Sequence, residues 1–101
     1  MDKLALLALL HAKPGKEHDL EAFLKSARPL AEQETGTSTW YALKLGPAKF
    51  GIFDTFKEEA GRDAHLNGEI AKALFARADE LLAEAPQVET VEILALKAPK
   101  G

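Results

Sequence analysis

Apolar and polar positions alternate along this chain with two different periods. Four short apolar runs of strand length are bounded by turn residues, and two longer segments carry apolar residues at the spacing of an amphipathic helix. The predicted strands are residues 3–12, 37–45, 49–56 and 88–96. The predicted helical segments are residues 16–34 and 57–85, so the element order is β-α-β-β-α-β.

Two breaks are expected inside the helical segments. Pro29 should end the regular part of the first one near Arg28, because proline lacks a backbone N–H and restricts the residue before it. In the second segment, Asn67 and Gly68 separate a short helix from a longer one. The simplest interpretation of this pair is a helix C-cap with Gly68 in the left-handed conformation.

The element order predicts an α+β fold of the ferredoxin-like kind, with two helices on one face of a four-stranded antiparallel sheet. Several strands are nevertheless apolar on both faces; in the first strand, Leu7 and Leu9 alternate with Leu6 and Leu10. A second copy of the same sheet is the simplest cover for the open face, which predicts a homodimer forming a dimeric α+β barrel. The alternative is that the leucine-rich first strand is simply central in the sheet.

Composition describes one domain over residues 1–101, with 47% hydrophobic residues and a net charge of −3. The absence of a clustered basic excess argues against nucleic acid as a partner. Because the chain has no cysteine, disulfides, thiolate nucleophiles and sulfur-ligated metals are excluded. The apolar run from Leu4 to Leu10 is too short to cross a bilayer and lacks a basic leader, so we expect a cytoplasmic protein without a membrane partner.

Four short pieces of sequence carry a family resemblance: Trp40–Leu43, Gly51–Phe56, Glu59–Arg62 and Ala64–Leu66. With the element order and the two-faced sheet, they resemble the antibiotic biosynthesis monooxygenase (ABM) family of small dimeric α+β barrels. The resemblance covers nearly the whole chain. It implies a homodimer and, as in characterised members, oxygenation of a phenolic or quinol-type substrate in a pocket between sheet and helices. The implied partners are a small aromatic molecule and O2, with no cofactor.

O2 reacts slowly with closed-shell organic molecules, so the phenol must first lose its proton and become electron-rich. Such a reaction needs a base, a hydrogen-bond donor that stabilises the resulting anion, and a dry aromatic slot. His65 is the predicted catalytic base or proton shuttle, since its ordinary pKa of about 6.5 allows either role. We expect no metal site, because no paired-histidine spacing is present. The candidate substrate-binding residues are Trp40, Tyr41, Phe53, Phe56, Arg62 and Asn67.

Each candidate also has a purely structural interpretation. His65 could be a packed histidine that bonds to a backbone carbonyl or to a carboxylate such as Asp54. Trp40 and Tyr41 are neighbours in a strand and must face opposite sides, so only one can line the slot while the other packs at the dimer interface. Arg62 could be a solvated helix residue that pairs with a neighbouring glutamate.

Three other functions fit parts of the pattern. A non-catalytic ligand-binding or stress-response barrel would use the same dimer with an inert pocket, and it is the main alternative. Haem binding could use His65 as an axial ligand, but Trp40 lies on a strand and does not match the arrangement of haem-degrading relatives. RNA binding would use aromatics on the third strand, but Gly51 and Asp54 occupy positions where an aromatic and an aliphatic residue belong.

Overall fold

The computed structural model describes residues 3–99. Its sheet is four-stranded and antiparallel, with strand order β2-β3-β1-β4. This topology confirms the predicted α+β ferredoxin-like fold. Among residues 3–99, no helix has both the length and the apolar character needed to cross a membrane. The elements are β1 (Leu4–His11), α1 (Glu17–Ser26), α2 (Arg28–Glu32), β2 (Thr37–Lys44), β3 (Lys49–Phe56), α3 (Glu59–Leu66), α4 (Glu69–Leu81) and β4 (Gln87–Glu92).

The hydrophobic core lies between the helices and one face of the sheet. Alternate residues of β1 and β3 point into this layer, and the apolar sides of α1 and α4 close it. Burying one such side chain fully is worth about 1.5–3 kcal/mol, so this layer fixes which face of each strand looks inward. Its most buried members are Leu6, Leu10, Phe50, Ile52, Phe56, Leu20, Leu24, Ile70, Leu74 and Leu81.

The first helical segment is broken where the sequence predicts. α1 ends at Ser26, and α2 begins at Arg28 with Pro29 in its first turn, where the missing N–H of proline removes no helical hydrogen bond. Ala27, at the junction, is buried and packs with Ile70 of α4. The break therefore redirects the chain while keeping both short helices on the core.

The prediction that Gly68 adopts the left-handed conformation is wrong. Asn67 does end α3, but Gly68 is extended, with φ −88° and ψ −174°, and it is the N-cap of α4. The chain passes directly from one helix into the next, so no left-handed turn is needed. Within residues 3–99, a positive φ (85°) occurs at Gly15, in the turn after β1.

Helix α4 is shorter than predicted. It ends at Leu81, whereas the pattern extends the helix to residue 85. Leu82 forms a β-bridge with Ala12, and the N–H of Ala83 donates to the carbonyl of His11 over 2.8 Å. These bonds to the end of β1 satisfy the backbone outside the helix, so the apolar residues that follow do not extend it.

Strand β4 is also shorter than predicted, since it ends at Glu92 and not at residue 96. Glu92 is opposite Leu4, the first residue of β1, so the neighbouring strand provides no further ladder. One more backbone bond forms at Ile93. Beyond it, Leu94 and Leu96 are exposed.

The second face of the sheet carries large apolar side chains that no helix covers. Tyr41, Phe53 and Leu7 form one row across three strands, and Leu43 and Leu9 lie in the next row. Tyr41 is 53% exposed. The monomer therefore has an apolar sheet surface, as the two-faced strands predict.

Helix α3 approaches the loop before β2 through two glycines. A Cβ atom on Gly61 would lie 2.5 Å from the carbonyl oxygen of Gly36, and a Cβ on Gly36 would lie 2.7 Å from the Cα of Gly61. Both distances are too short for real side-chain atoms and both neighbours are backbone. The contact therefore requires glycine on both sides.

We predict that Gly61→Ala destabilises the fold. Alanine favours a helix by up to about 1 kcal/mol over glycine, but overpacking costs about 1–3 kcal/mol, and the opposing backbone oxygen cannot rotate away. Urea unfolding should show a lower free energy of unfolding. Gly46→Ala is the control, because its Cβ would meet nothing within 4 Å. Equal stability of the two variants would contradict a required contact between α3 and the loop.

Candidate functional site

A histidine lies between two carboxylates at the junction of β3, α3 and the segment after α2. His65 Nε2 is 2.7 Å from Asp54 Oδ2, and His65 Nδ1 is 2.5 Å from Glu34 Oε1. We call this group the Glu34–His65–Asp54 triad. It brings together residues that are 31 and 11 positions apart from His65 in the sequence.

Asp54 points into the core because of its position in β3. It follows Phe50 and Ile52 on the inward side of the strand, and it is only 1% exposed. On the same side, Phe56 packs its ring 5.6 Å from the ring of His65. A carboxylate at an inward position of an apolar strand is the sequence signal that could have identified Asp54 as a site residue.

Glu34 is held by two neighbouring segments. Its Oε1 accepts a 2.7 Å hydrogen bond from Thr37 Oγ1 in addition to facing His65. Gly68 leaves room for the other oxygen, because a Cβ there would lie 3.1 Å from Glu34 Oε2. No sequence motif pointed to Glu34, which lies just beyond a helix end.

The environment of His65 favours its protonated form. Burial by itself would lower the pKa of His65, but the close approach and charge of Asp54, followed by those of Glu34, outweigh it and raise the pKa above its ordinary value. An imidazolium between two carboxylates is suited to holding or donating a proton. Both ring nitrogens face a carboxylate. The contact with Asp54 is the one that the structural interpretation of His65 predicts.

A small cavity lies between the sheet and helices α3 and α4, with a volume of about 60 Å³. Asp54 and His65 are the ionisable side chains that line it. A fully enclosed ligand of benzene size occupies a cavity of about 150 Å³, so this one encloses only part of an aromatic ring. Its apolar lining consists of Leu6, Ala8, Ile52, Leu66, Ile70, Ala71, Leu74, Phe75, Pro86 and Val88.

The mouth of this cavity is formed by apolar side chains that are partly in solvent. Phe75 is 60% exposed, and Leu66 and Val88 are exposed as well. A ligand that entered by its polar end could therefore keep the rest of its ring between these side chains.

On the other side of His65 lies a wider, more polar groove of about 330 Å³. Glu34, Thr35 and Glu69 line it. His65 therefore separates the apolar cavity from a groove that is open to solvent. The triad connects the two, since Asp54 faces the cavity and Glu34 faces the groove.

Neither oxygen of the Asp54 carboxylate makes a hydrogen bond of good geometry. Asp54 Oδ1 is buried without a partner, and Oδ2 meets His65 at the distance, but not the angle, of a hydrogen bond. The short distance makes the charge interaction with His65 the relevant one for Oδ2. Buried carboxylate oxygens normally accept hydrogen bonds. Oδ1 is thus a free acceptor in an apolar site.

The predicted aromatic residues divide between the two faces of the sheet. Trp40 points to the helices, where its Nε1 is buried without a partner and it lines an opening beside Glu34. Phe56 lies behind His65. Tyr41 and Phe53 lie on the opposite face, so the structure does not bring them to the cavity. Strand alternation separates Trp40 from Tyr41, as expected for adjacent residues.

The two polar candidates are not at the cavity either. Arg62 is half-buried on α3 and is not among the residues that line the cavity. Asn67 is exposed, and its Nδ2 donates to the carbonyl of Asp63 over 2.9 Å. Asn67 therefore caps the end of α3. Asn67 lies two residues after His65, so the helical repeat turns it to the opposite side, whereas Arg62 lies one turn before His65 but outside the cavity lining.

The triad does not have the geometry of a metal site. Its carboxylates contact opposite nitrogens of one ring, so their oxygens do not converge on a common point. Within residues 3–99, no group of three or more histidine, aspartate or glutamate side chains is arranged as metal ligands.

Comparison with solved structures shows a close relative. The crystal structure of NE2512, a protein of unknown function from Nitrosomonas europaea, has 58% sequence identity over 100% of this chain and 98% of that chain, with a TM-score of 0.96. The chain belongs to the same family as NE2512. No protein-family model matches the chain, and no curated protein matches it.

More distant structures share the fold of this family. A provisionally named antibiotic biosynthesis monooxygenase from Nitrosomonas europaea has 14% identity and a TM-score of 0.80, over 91% of this chain and 99% of that chain. Another from Caulobacter crescentus has 18% identity and a TM-score of 0.77, over 93% and 92%. At these identities the likeness establishes an ABM-like fold.

The raised pKa of His65 predicts how stability depends on pH. The folded state holds the proton more tightly than the unfolded chain, so the stabilisation is complete below the unfolded pKa of about 6.5 and is lost as pH rises through the folded pKa. In urea unfolding, the free energy of unfolding of wild type should exceed that of His65→Gln most at about pH 6. The difference in this free energy should be smaller at about pH 9. A difference that grows with pH would contradict the raised pKa. The control is His18→Gln at an exposed position of α1.

Proposed function

We propose that this protein is a cofactor-independent monooxygenase of the ABM type that acts on a phenolic or quinol-like aromatic molecule. The observation that carries the proposal is the apolar cavity in which a buried carboxylate with a free oxygen lies beside a proton-holding imidazole. The fold supports it, since two distant neighbours are provisionally named as monooxygenases of this type.

The proposed reaction needs only O2 as co-reactant. A phenol with a free para position and one O2 give a para-quinone and one water, so one oxygen atom enters the ring and the other leaves as water. The phenolic proton must be lost, and the reduced oxygen must gain protons. The apolar walls exclude solvent from both steps.

In this proposal His65 is the catalytic proton-transfer residue. Its raised pKa favours a role as proton store and donor over that of a free base, and Asp54 and Glu34 hold its ring in place. Trp40 and Phe56 are the predicted aromatic residues on the helix side of the sheet. They remain candidates for shaping the site from behind His65.

The second candidate is a non-catalytic ligand-binding barrel. It is favoured by the limited enclosed volume of about 60 Å³ and by the fact that both ring nitrogens of His65 already face carboxylates. In that case the triad would fasten α3 to the sheet, and the cavity would bind a ligand without changing it.

Oxygen uptake separates the two candidates. With a panel of hydroquinones and phenols and the metal-free protein, wild type should consume O2 faster than the uncatalysed reaction. His65→Gln should lower the rate by about a hundredfold, the size expected for losing a proton-transfer group. Uptake at the uncatalysed rate across the panel would favour the ligand-binding barrel.

A second pair of variants places the reaction in the cavity without changing the triad. Ala71→Leu should fill the cavity mouth and reduce oxygen uptake, because residue 71 lines it. Ala76→Leu makes the same change on the exposed side of α4 and should have no effect. Equal uptake by both variants would place the reaction elsewhere.

We also propose that the open sheet face is covered by a second copy of the chain, giving a homodimer. The exposed row of Tyr41, Phe53 and Leu7 is apolar and continuous across three strands. A helix layer already covers the other face, so two such sheets can pack against each other at the usual sheet spacing. The self-complementary face suits a two-fold interface.

Tyr41→Lys tests the dimer without disturbing the monomer core, since Tyr41 is half exposed. Light scattering should give twice the monomer mass of 11.0 kDa for wild type and a single monomer mass for the variant. Ala76→Lys, which adds the same charge on α4, should remain dimeric. A monomeric wild type would rule out this interface.

A further inference from the structure

The free oxygen of Asp54 is the least satisfied polar atom of the cavity. Asp54 Oδ1 is buried and has no hydrogen-bond partner, and apart from Asp54 and His65 the side chains that line the cavity are apolar. The other oxygen of the same carboxylate faces His65. The side chain is therefore fixed on one side and available on the other, which is the arrangement of a ligand-binding acceptor.

We propose that Asp54 positions the ligand, and that its Oδ1 accepts a hydrogen bond from the hydroxyl of a neutral phenol. His65 Nε2, 2.7 Å from Oδ2, balances the negative charge of Asp54. The proposal rests on the proposed function for the class of ligand, but it concerns binding alone.

The charges of the site favour a neutral ligand. Two carboxylates and one imidazolium leave the triad with one net negative charge, and the other ionisable residue of the outer groove is the acidic Glu69. A ligand anion at Oδ1 would meet a like charge in an apolar space, where repulsion is strong. Among the cavity-lining residues in the described part of the chain, His65 is the one that carries a positive charge.

The number of free acceptors favours a hydroxyl over an ammonium group. An ammonium brings three N–H donors, whereas a phenol brings one O–H. Oδ2 already lies 2.7 Å from His65, which leaves Oδ1 as the carboxylate oxygen of Asp54 without a charged neighbour. A cation would therefore leave two donors without partners among apolar side chains, and such groups are costly to bury.

The shape of the cavity favours a ring attached to that hydroxyl. The enclosed part has a volume of about 60 Å³, enough for the hydroxyl and the adjoining edge of a ring. The rest of the ring would lie at the mouth between Leu66, Phe75 and Val88. An exposed phenylalanine ring there can pack against a second aromatic ring.

The test uses 4-nitrophenol without O2, because its neutral and ionised forms differ in visible absorption. At a pH where the free dye is partly ionised, adding wild-type protein should lower the phenolate absorption, since the cavity takes up the neutral form. Binding should weaken as pH rises and the dye ionises. A rise in phenolate absorption on binding would overturn the proposal, because it would show that the ligand oxygen is held as an anion.

Asp54→Asn is the matched variant, since it keeps the shape and removes the charge. It should weaken binding of neutral 4-nitrophenol by at least about tenfold, the loss of a hydrogen bond to a charged acceptor. Asp63→Asn makes the same change at an exposed position of α3 and should bind like wild type. Circular dichroism checks that each variant folds. If a variant does not fold, the absorption change with wild type still decides whether the dye binds as the neutral phenol.

The outcomes separate this inference from the proposed function. Uptake of neutral dye without oxygen consumption on any substrate would support the inference and overturn the monooxygenase. Oxygen consumption that survives Asp54→Asn would support the enzyme and overturn the inference. Absence of saturable dye binding to wild type would also overturn it and leave the cavity as a space for water.

Discussion

The ion pair between His65 and Asp54 is the interaction on which the site and the attachment of α3 both depend. Asp54 lies on an inward position of a core strand, where an unpaired carboxylate would be costly. Helix α3 provides the partner, and the backbone contact between Gly36 and Gly61 lets that helix come close enough. Glu34 reaches the same ring from the other side, so three separate segments meet at one imidazole.

The His65–Asp54 pair is buried and also lines the cavity. Removing either partner of a buried ion pair typically costs about 3–5 kcal/mol, because the remaining charge is left uncompensated. The same low-dielectric surroundings strengthen any hydrogen bond that the unpartnered Oδ1 of Asp54 accepts. A fold that needs the pair to hold α3 therefore also maintains a polar atom in a dry space.

The alternation of the strands divides the side chains of the sheet between two faces. Its inward face carries Asp54 and Trp40 toward the helices, and its outward face carries Tyr41 and Phe53 toward a proposed second copy. Cross-strand register aligns these residues in rows. A shift of one residue in β2 or β3 would exchange the two faces, which is why the register, set by the core residues, also determines the site.

The sequence by itself determined the element order, the sheet type, the helix break before Pro29 and the two-faced strands, because periodicity and turn residues are local properties. His65 was predicted as the proton-transfer residue from the ordinary pKa of histidine and from the family resemblance. The contact of Glu34 with His65 depended on how α3 packs against the sheet. The same packing decided that Arg62 and Asn67 lie away from the cavity. Contacts between residues distant in the chain, such as the one between Gly36 and Gly61, decide that placement, and only the tertiary structure contains them.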